Sequence, residues 1–172
     1  MDKKELNTLM IKIQKDDEIS FSLFYERTYK GVFSFIYSYV KNWHTAEDLL
    51  QETYIKVKRN AQMYRTNSNV VAWVLQIAKN LCLDYLKKYG DKQVCELNNN
   101  ISENKKDVIN TLYVHDLLNK HLKLEDRQIV ILHVLYGYKN REIAKILNIP
   151  VGTVLWRYNK AIKELKEKIK ED

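Results

Sequence analysis

A chain of 172 residues with one proline, Pro150, and four glycines, Gly31, Gly90, Gly137 and Gly152, has few places at which to turn sharply. Sheet proteins draw on glycine and proline at their hairpins, because tight turns need φ values that other residues resist. The scarcity points to an all-α fold of long helices joined by few connections. Hydrophobic residues make up 45% of the chain, enough for real cores, and the length fits one domain or two small ones.

Apolar spacing places the helices. Leu6, Leu9, Met10 and Ile13 make a short stripe. Beyond Asp16, Asp17 and Glu18, a run of Phe21, Phe24, Tyr25, Thr28, Tyr29, Val32, Phe33 and Ile36 recurs at steps of three and four. The pattern breaks at Asn42, Trp43 and His44. Thr45 to Asp48 reads as a capping box that starts a third helix, continued by Leu49, Leu50, Tyr54, Val57 and Ala61. After a polar break at 65–69, a fourth helix carries Val70, Trp73, Val74, Ile77, Ala78, Leu81, Cys82 and Tyr85, with Gly90 as its stop. Residues 91–106 are polar, with few apolar anchors, and read as a flexible linker. The expected division is therefore 1–90, a linker at 91–106, and 107–172. In the second part, Val108, Leu112, Tyr113, Leu117 and His121 predict one helix. Glu125 to Tyr136 predicts the next, ended by Gly137.

The most specific local pattern follows. Arg141 to Leu147 is a short amphipathic helix with Ile143, Ala144 and Leu147 inward. Asn148 tolerates the left-handed conformation that ends a helix, and Pro150 suits the first turn of another. Val151 then opens a long helix with Val154, Tyr158, Ala161, Leu165 and Ile169 inward. Small Ala144 permits a close crossing. The outward residues, Thr153, Arg157, Asn159, Lys160 and Lys163, are polar or basic. This is a helix-turn-helix whose second helix suits the major groove: arginine pairs with guanine, asparagine with adenine. Lys139, Arg141 and Lys145 would hold phosphates, and Gly152 would let backbone approach one.

The net charge of +7 favours a polyanion as partner. No apolar run approaches the roughly 20 residues of a membrane span, and Met1 to Glu5 leads into no signal-peptide core, so a cytoplasmic protein without membrane insertion is expected. Cys82 and Cys95 form no CxxC pair and read as free thiols, Cys82 in the core. The histidines, His44, His115, His121 and His133, are scattered. No metal, cofactor or catalytic residues are expected, because no ligand cluster, nucleophile-base pair or phosphate-cradling glycine loop is present.

Three segments resemble the bacterial sigma factors of the extracytoplasmic-function class, in the sigma-70 family, over nearly the whole chain. Thr45 to Val57 is similar to the family's DAEDLxQExFxxV helix. Trp73 to Asn80, followed by Asp84, resembles WLxxIAxNxxxD. Leu124 to Val130, Glu142 to Leu147 and Gly152 to Val154 resemble LxxxxRxVxxL…EIAxxLxxxxGTV. The resemblance implies a factor that binds core RNA polymerase, through the β′ clamp helices and the β flap, and directs promoter-specific initiation. Glu47, Asp48, Leu49, Gln51 and Glu52 would face the polymerase. An acidic, amide-bearing face on a basic protein agrees with a protein partner. Tyr64, Arg65, Asn67 and Asn69 in the loop, with Asn80, Lys87 and Lys88, would melt and read the −10 element, where flipped bases need stacking and amide contacts and the strand needs cations. Trp73 reads as core. Lys139, Arg141, Gly152, Thr153, Trp156, Arg157 and Lys160 would read the −35 duplex. An anti-sigma factor is an implied partner.

There are departures from the family pattern. Lys139 stands where serine or threonine often caps, leaving Asn140 to cap one residue later. Leu155, Trp156 and Arg157 replace a more usual Lys-Ser-Arg. Leu155 and Trp156 have two readings, burial against other helices or, for Trp156, contact with a thymine methyl. The alternative function is a stand-alone helix-turn-helix regulator that acts without polymerase. A peripheral membrane protein, using the basic helix from Val151 to Lys170, is a more distant one.

Overall fold

The computed structural model describes residues 3–66, 68–90, 114, 117–134 and 136–171, and all their regular structure is helical. The helices are α1 (Lys3–Ile13), α2 (Glu18–Val40), α3 (Trp43–Arg59), α4 (Val70–Tyr89), α5 (Leu124–Val134), α6 (Asn140–Leu147) and α7 (Val151–Glu171), with a 3-10 turn at Ala61–Met63. Residues 117–121 are helical as well. The chain divides into two compact units, Met1–Val94 and Cys95–Asp172. The linker expected at 91–106 lies outside the described residues. So do Asn67, Cys95, Val108, Leu112, Tyr113 and His115, and the side chain of Ile169.

In the first unit α2 is the central element, packed against α1, α3 and α4. Asp17 starts it: its carboxylate accepts from the N–H groups of Ile19 and Ser20 at 3.0 and 3.1 Å. The Ser20 backbone N–H is the main reason that carboxyl sits below the usual aspartate range. Along the first half of α2, Phe24 and Thr28 are buried while Phe21, Tyr25 and Tyr29 are half-buried. From Val32 to Val40 every residue is buried, so the predicted stripe widens into a helix enclosed all round. Lys41, at φ 53°, ends it in the left-handed region.

α3 begins two residues before the expected start at Thr45. The Asn42 side chain accepts from the Thr45 N–H at 2.9 Å, which makes Asn42 the cap and Thr45 a residue of the first turn. Asparagine caps at least as well as threonine. Between α2 and α3, Thr28 donates to the Phe24 carbonyl at 2.6 Å. Its single proton thus spent, the Tyr54 hydroxyl is the donor in the 2.6 Å contact between them.

In the second unit Leu118, Leu122, Val130, Ile131, Ala161 and Leu165 form one core cluster, with Tyr136, Tyr158 and Ile162 packed against it. α7 contacts both α5 and α6. Gly137 takes φ 64° after α5. Asn148 takes φ 57°, and the Ile149 N–H closes α6 on the Ala144 carbonyl at 3.0 Å. Pro150 stands just before α7 and not within it, its carbonyl accepting from Val154 N–H at 3.1 Å. Asn140 does not cap α6. Lys139 holds the cap position, and the Glu142 carboxylate reaches back to accept its N–H at 3.0 Å. A glutamate at the third helical position supplies this half of a capping box, and its charge suits the helix N-terminus.

Candidate nucleic-acid interface

α6, the left-handed Asn148 and α7 form a helix-turn-helix. At 100° per residue, Val151, Gly152, Leu155, Trp156, Asn159, Lys160 and Lys163 fall on one half of α7, and all seven are exposed. Val154, Ala161 and Leu165 are buried on the other half. Lys139, Arg141 and Lys145 are exposed on and beside α6, and Thr153 is half-buried. A Cβ added at Gly152 would meet nothing within 4 Å, so the N-terminal end of this face stands open.

Arg157 lies off that face. Its guanidinium turns toward α5, 3.2 Å from the Asp126 carboxylate and 3.5 Å from Glu125. Asp126 is 4% exposed, so the pair ties α7 to α5 at the edge of the core. The expected guanine-reading arginine is thus engaged within the unit, because a buried carboxylate needs a cation more than solvent does. Sequence spacing gives no sign of a pair 31 residues apart. The burial alternative for Leu155 and Trp156 is removed, since they are 48% and 62% exposed.

In the first unit the loop before α4 is braced from α1 and from Gln14, the residue just beyond its end. Gln14 donates to the carbonyls of Ala61 and Tyr64, both at 2.9 Å. The Tyr64 hydroxyl donates to the Ser68 carbonyl at 2.7 Å and also bonds Asn7. Tyr64 is 3% exposed and its ring lies 5.5 Å from that of Trp73. It shapes the loop from beneath and does not offer a stacking face, contrary to the sequence expectation. Trp73 is half-buried beside it. Asn69 caps α4, accepting from Ala72 N–H at 3.1 Å. Arg65, Thr66 and Ser68 are exposed on the loop, and Met63 is an exposed apolar residue beside them that sequence reading missed. Asn80 is exposed and accepts from Gln76 at 3.1 Å. Lys87 and Lys88 are exposed in the last turn of α4, roughly 25 Å along the axis from the loop. Loop and lysines therefore do not converge on one point.

On α3, Asp48, Gln51 and Glu52 are exposed and Glu47 is half-buried. Glu52 pairs with Lys56 at 3.4 Å, and Glu47 stands 3.9 Å from His44. Leu49, expected on this face, is 7% exposed. One residue on from Asp48 it has turned 100° into the core. Exposed Ile55 stands one turn beyond Glu52, an apolar member of the face that the motif did not flag. Among the described residues no group of three or more His, Cys, Asp or Glu could hold a metal, and no helix is long and apolar enough to cross a membrane.

These features define a helical helix-turn-helix protein of two units. Residues 24–91 match the family described as Sigma-70 region 2, and residues 112–165 match Sigma-70, region 4. The chain is 26% identical over 176 residues to the ECF RNA polymerase sigma factor SigW of Bacillus subtilis, covering 93% of this chain and 94% of that one. It is 27% identical over 179 residues to the ECF RNA polymerase sigma-E factor of Haemophilus influenzae, covering 94% and 93%. Among solved structures, CnrH in complex with the cytosolic domain of CnrY matches with TM-score 0.74 at 17% identity, over 98% of this chain and 99% of that one. RpoE of Bartonella quintana, in complex with the anti-sigma factor NepR, matches with TM-score 0.68 at 23% identity, over 88% and 98%. The chain belongs to the sigma-70 family, in its extracytoplasmic-function class, and is a sigma factor directing transcription.

Proposed function

We propose that this sigma factor docks on core RNA polymerase through the acidic face of α3, reads the −35 duplex with α6 and α7, and opens and captures the −10 element with the first unit. The observation that carries the reading is the separation of surfaces by charge. An acidic, amide-bearing face formed by Glu47, Asp48, Gln51 and Glu52 is set on a chain of net charge +7. The basic helix-turn-helix belongs to the other unit. A duplex repels the first surface and attracts the second.

The −35 contacts are Lys139, Arg141 and Lys145 to phosphates, Gly152 where backbone approaches the strand, and Thr153, Trp156 and Lys160 along the groove. Arg157 orients α7 through Asp126. At the −10 element the braced loop presents Arg65, with Asn67 and Asn69 from the sequence match. Tyr64 supports the loop from inside, and Asn80, Lys87 and Lys88 follow the strand. Polymerase supplies the catalysis, and the protein works in the cytoplasm. One structural relative, RpoE of Bartonella quintana, was solved with the anti-sigma factor NepR, which supports an inhibitor of that kind here.

Size-exclusion chromatography with bacterial core polymerase tests the docking. The chain should co-elute with the enzyme, and Asp48→Lys, a change at an exposed position, should weaken binding at least tenfold. Undiminished co-elution of the variant would remove α3 from the interface. Tight, sequence-specific DNA binding by the chain alone would favour the stand-alone regulator.

A further inference from the structure

The outward half of α7 carries an apolar ridge. Val151, Leu155 and Trp156 are 42%, 48% and 62% exposed, and Gly152 leaves the ridge open at its N-terminal end. The Trp156 ring is held from one side by the Lys160 ammonium, 5.5 Å from the ring centroid. Val151 and Leu155 stand one turn apart, with Trp156 one step round the same half of the helix, and large apolar side chains left in water on one face point to a binding surface. The residues that flank the ridge indicate its occupant: Asn159, Lys160 and Lys163 share its face, and Arg141 and Lys145 are exposed on the preceding helix. Lys160 and Lys163 are also paired along the helix with Glu164 and Glu167, at 3.6 and 4.0 Å, exposed pairs that solvent weakens; cations beside an apolar ridge suit a polyanion that offers apolar groups at its floor. In a duplex major groove that group is the 5-methyl of thymine. The arginine that would read guanine is drawn off the face, 3.2 Å from Asp126.

We propose that Leu155 and Trp156 read thymine methyl groups, so that this protein selects −35 duplexes with thymine under the first two turns of α7. The inference rests on the −35 reading above and names the base chemistry that reading leaves open. The hydrogen-bonding share of base readout then falls to Asn159, whose amide matches the adenine edge.

The test uses the full chain with bacterial core polymerase on promoter fragments randomised across the −35 window. Fragments that support run-off transcription are sequenced, and the best is rebuilt with uracil for each thymine, which removes only the methyl. Enrichment of thymine is expected, with a loss of about fourfold in binding for each contacted methyl removed. Leu155→Ala and Trp156→Ala, both at exposed positions, should bind the thymine template more weakly and respond less to uracil. Selection without thymine, or indifference to uracil, would overturn the proposal while leaving the sigma assignment intact. Variants that lose polymerase binding but keep the DNA selection would also overturn it, by making the ridge a protein interface. Absence of any transcript dependent on the −35 window would overturn both this inference and the −35 reading.

Discussion

Arg157 and Asp126 stand 3.2 Å apart, but their surroundings differ. The Arg157 side chain is 30% exposed and that of Asp126 only 6%. Removing the arginine leaves a buried carboxylate without its cation, whereas removing both charges leaves a nearly neutral edge. Arg157→Ala should therefore cost about 1–3 kcal/mol in urea unfolding, less than a fully buried pair because solvent screens the arginine. Adding Asp126→Asn should recover much of that loss. An unchanged midpoint for Arg157→Ala would show that the arginine is free to face DNA. Cys82 is fully buried in the first unit. Burial pushes its thiol from 9.0 up to about 12, and burial also raises the Tyr54 hydroxyl above its ordinary 10.0. The folded state keeps protons that the unfolded chain releases. Stability from these groups is whole below pH 9 and is lost as pH rises toward 12. The thermal midpoint should fall between pH 9 and 11, and Cys82→Ala should flatten the early part of that fall. At pH 8 the native thiol at Cys82 should resist iodoacetamide; rapid native alkylation there would contradict the burial.

At the scale of elements, α1 and Gln14 just beyond it act as a brace for the loop before α4. Gln14 holds two loop carbonyls and Asn7 meets the Tyr64 hydroxyl. Gln14→Ala should loosen the loop by about 1–2 kcal/mol. It should lower promoter opening, read by permanganate reactivity of unpaired thymines, while core-polymerase binding stays unchanged. Unaltered opening would make α1 a packing element only. Such a brace is invisible to periodicity, since its partners lie 47 and 50 residues apart. What sequence does carry is local. The apolar stripe of α1, the left-handed Asn148 and the helix stop at Gly90 were all legible, because each depends on residues within a turn or two. Leu49 illustrates the limit. A motif names a string of residues, but only the helix phase separates exposed Asp48 from buried Leu49. The start of α3 was misread for a related reason: Asn42 and Thr45 both offer capping oxygens, and the stronger cap came first.

The molecule is built as two compact units, which match Sigma-70 region 2 and Sigma-70, region 4. Family membership, the all-helical fold and the helix-turn-helix were legible because motif, composition and turn chemistry agree. The placements of Arg157, Tyr64 and the exposed Leu155 and Trp156 required three dimensions. They depend on which side of a helix meets a neighbour from elsewhere in the chain. On the proposed function, these surfaces act through polymerase. That action is tested by run-off transcription with bacterial core enzyme, using a promoter selected as described above. A discrete transcript is expected only when chain and core enzyme are both present, and it should be lost with Asp48→Lys and with a scrambled −35 element. Specific binding to that DNA by the chain alone, with no transcript dependent on its addition to core enzyme, would contradict the proposed function.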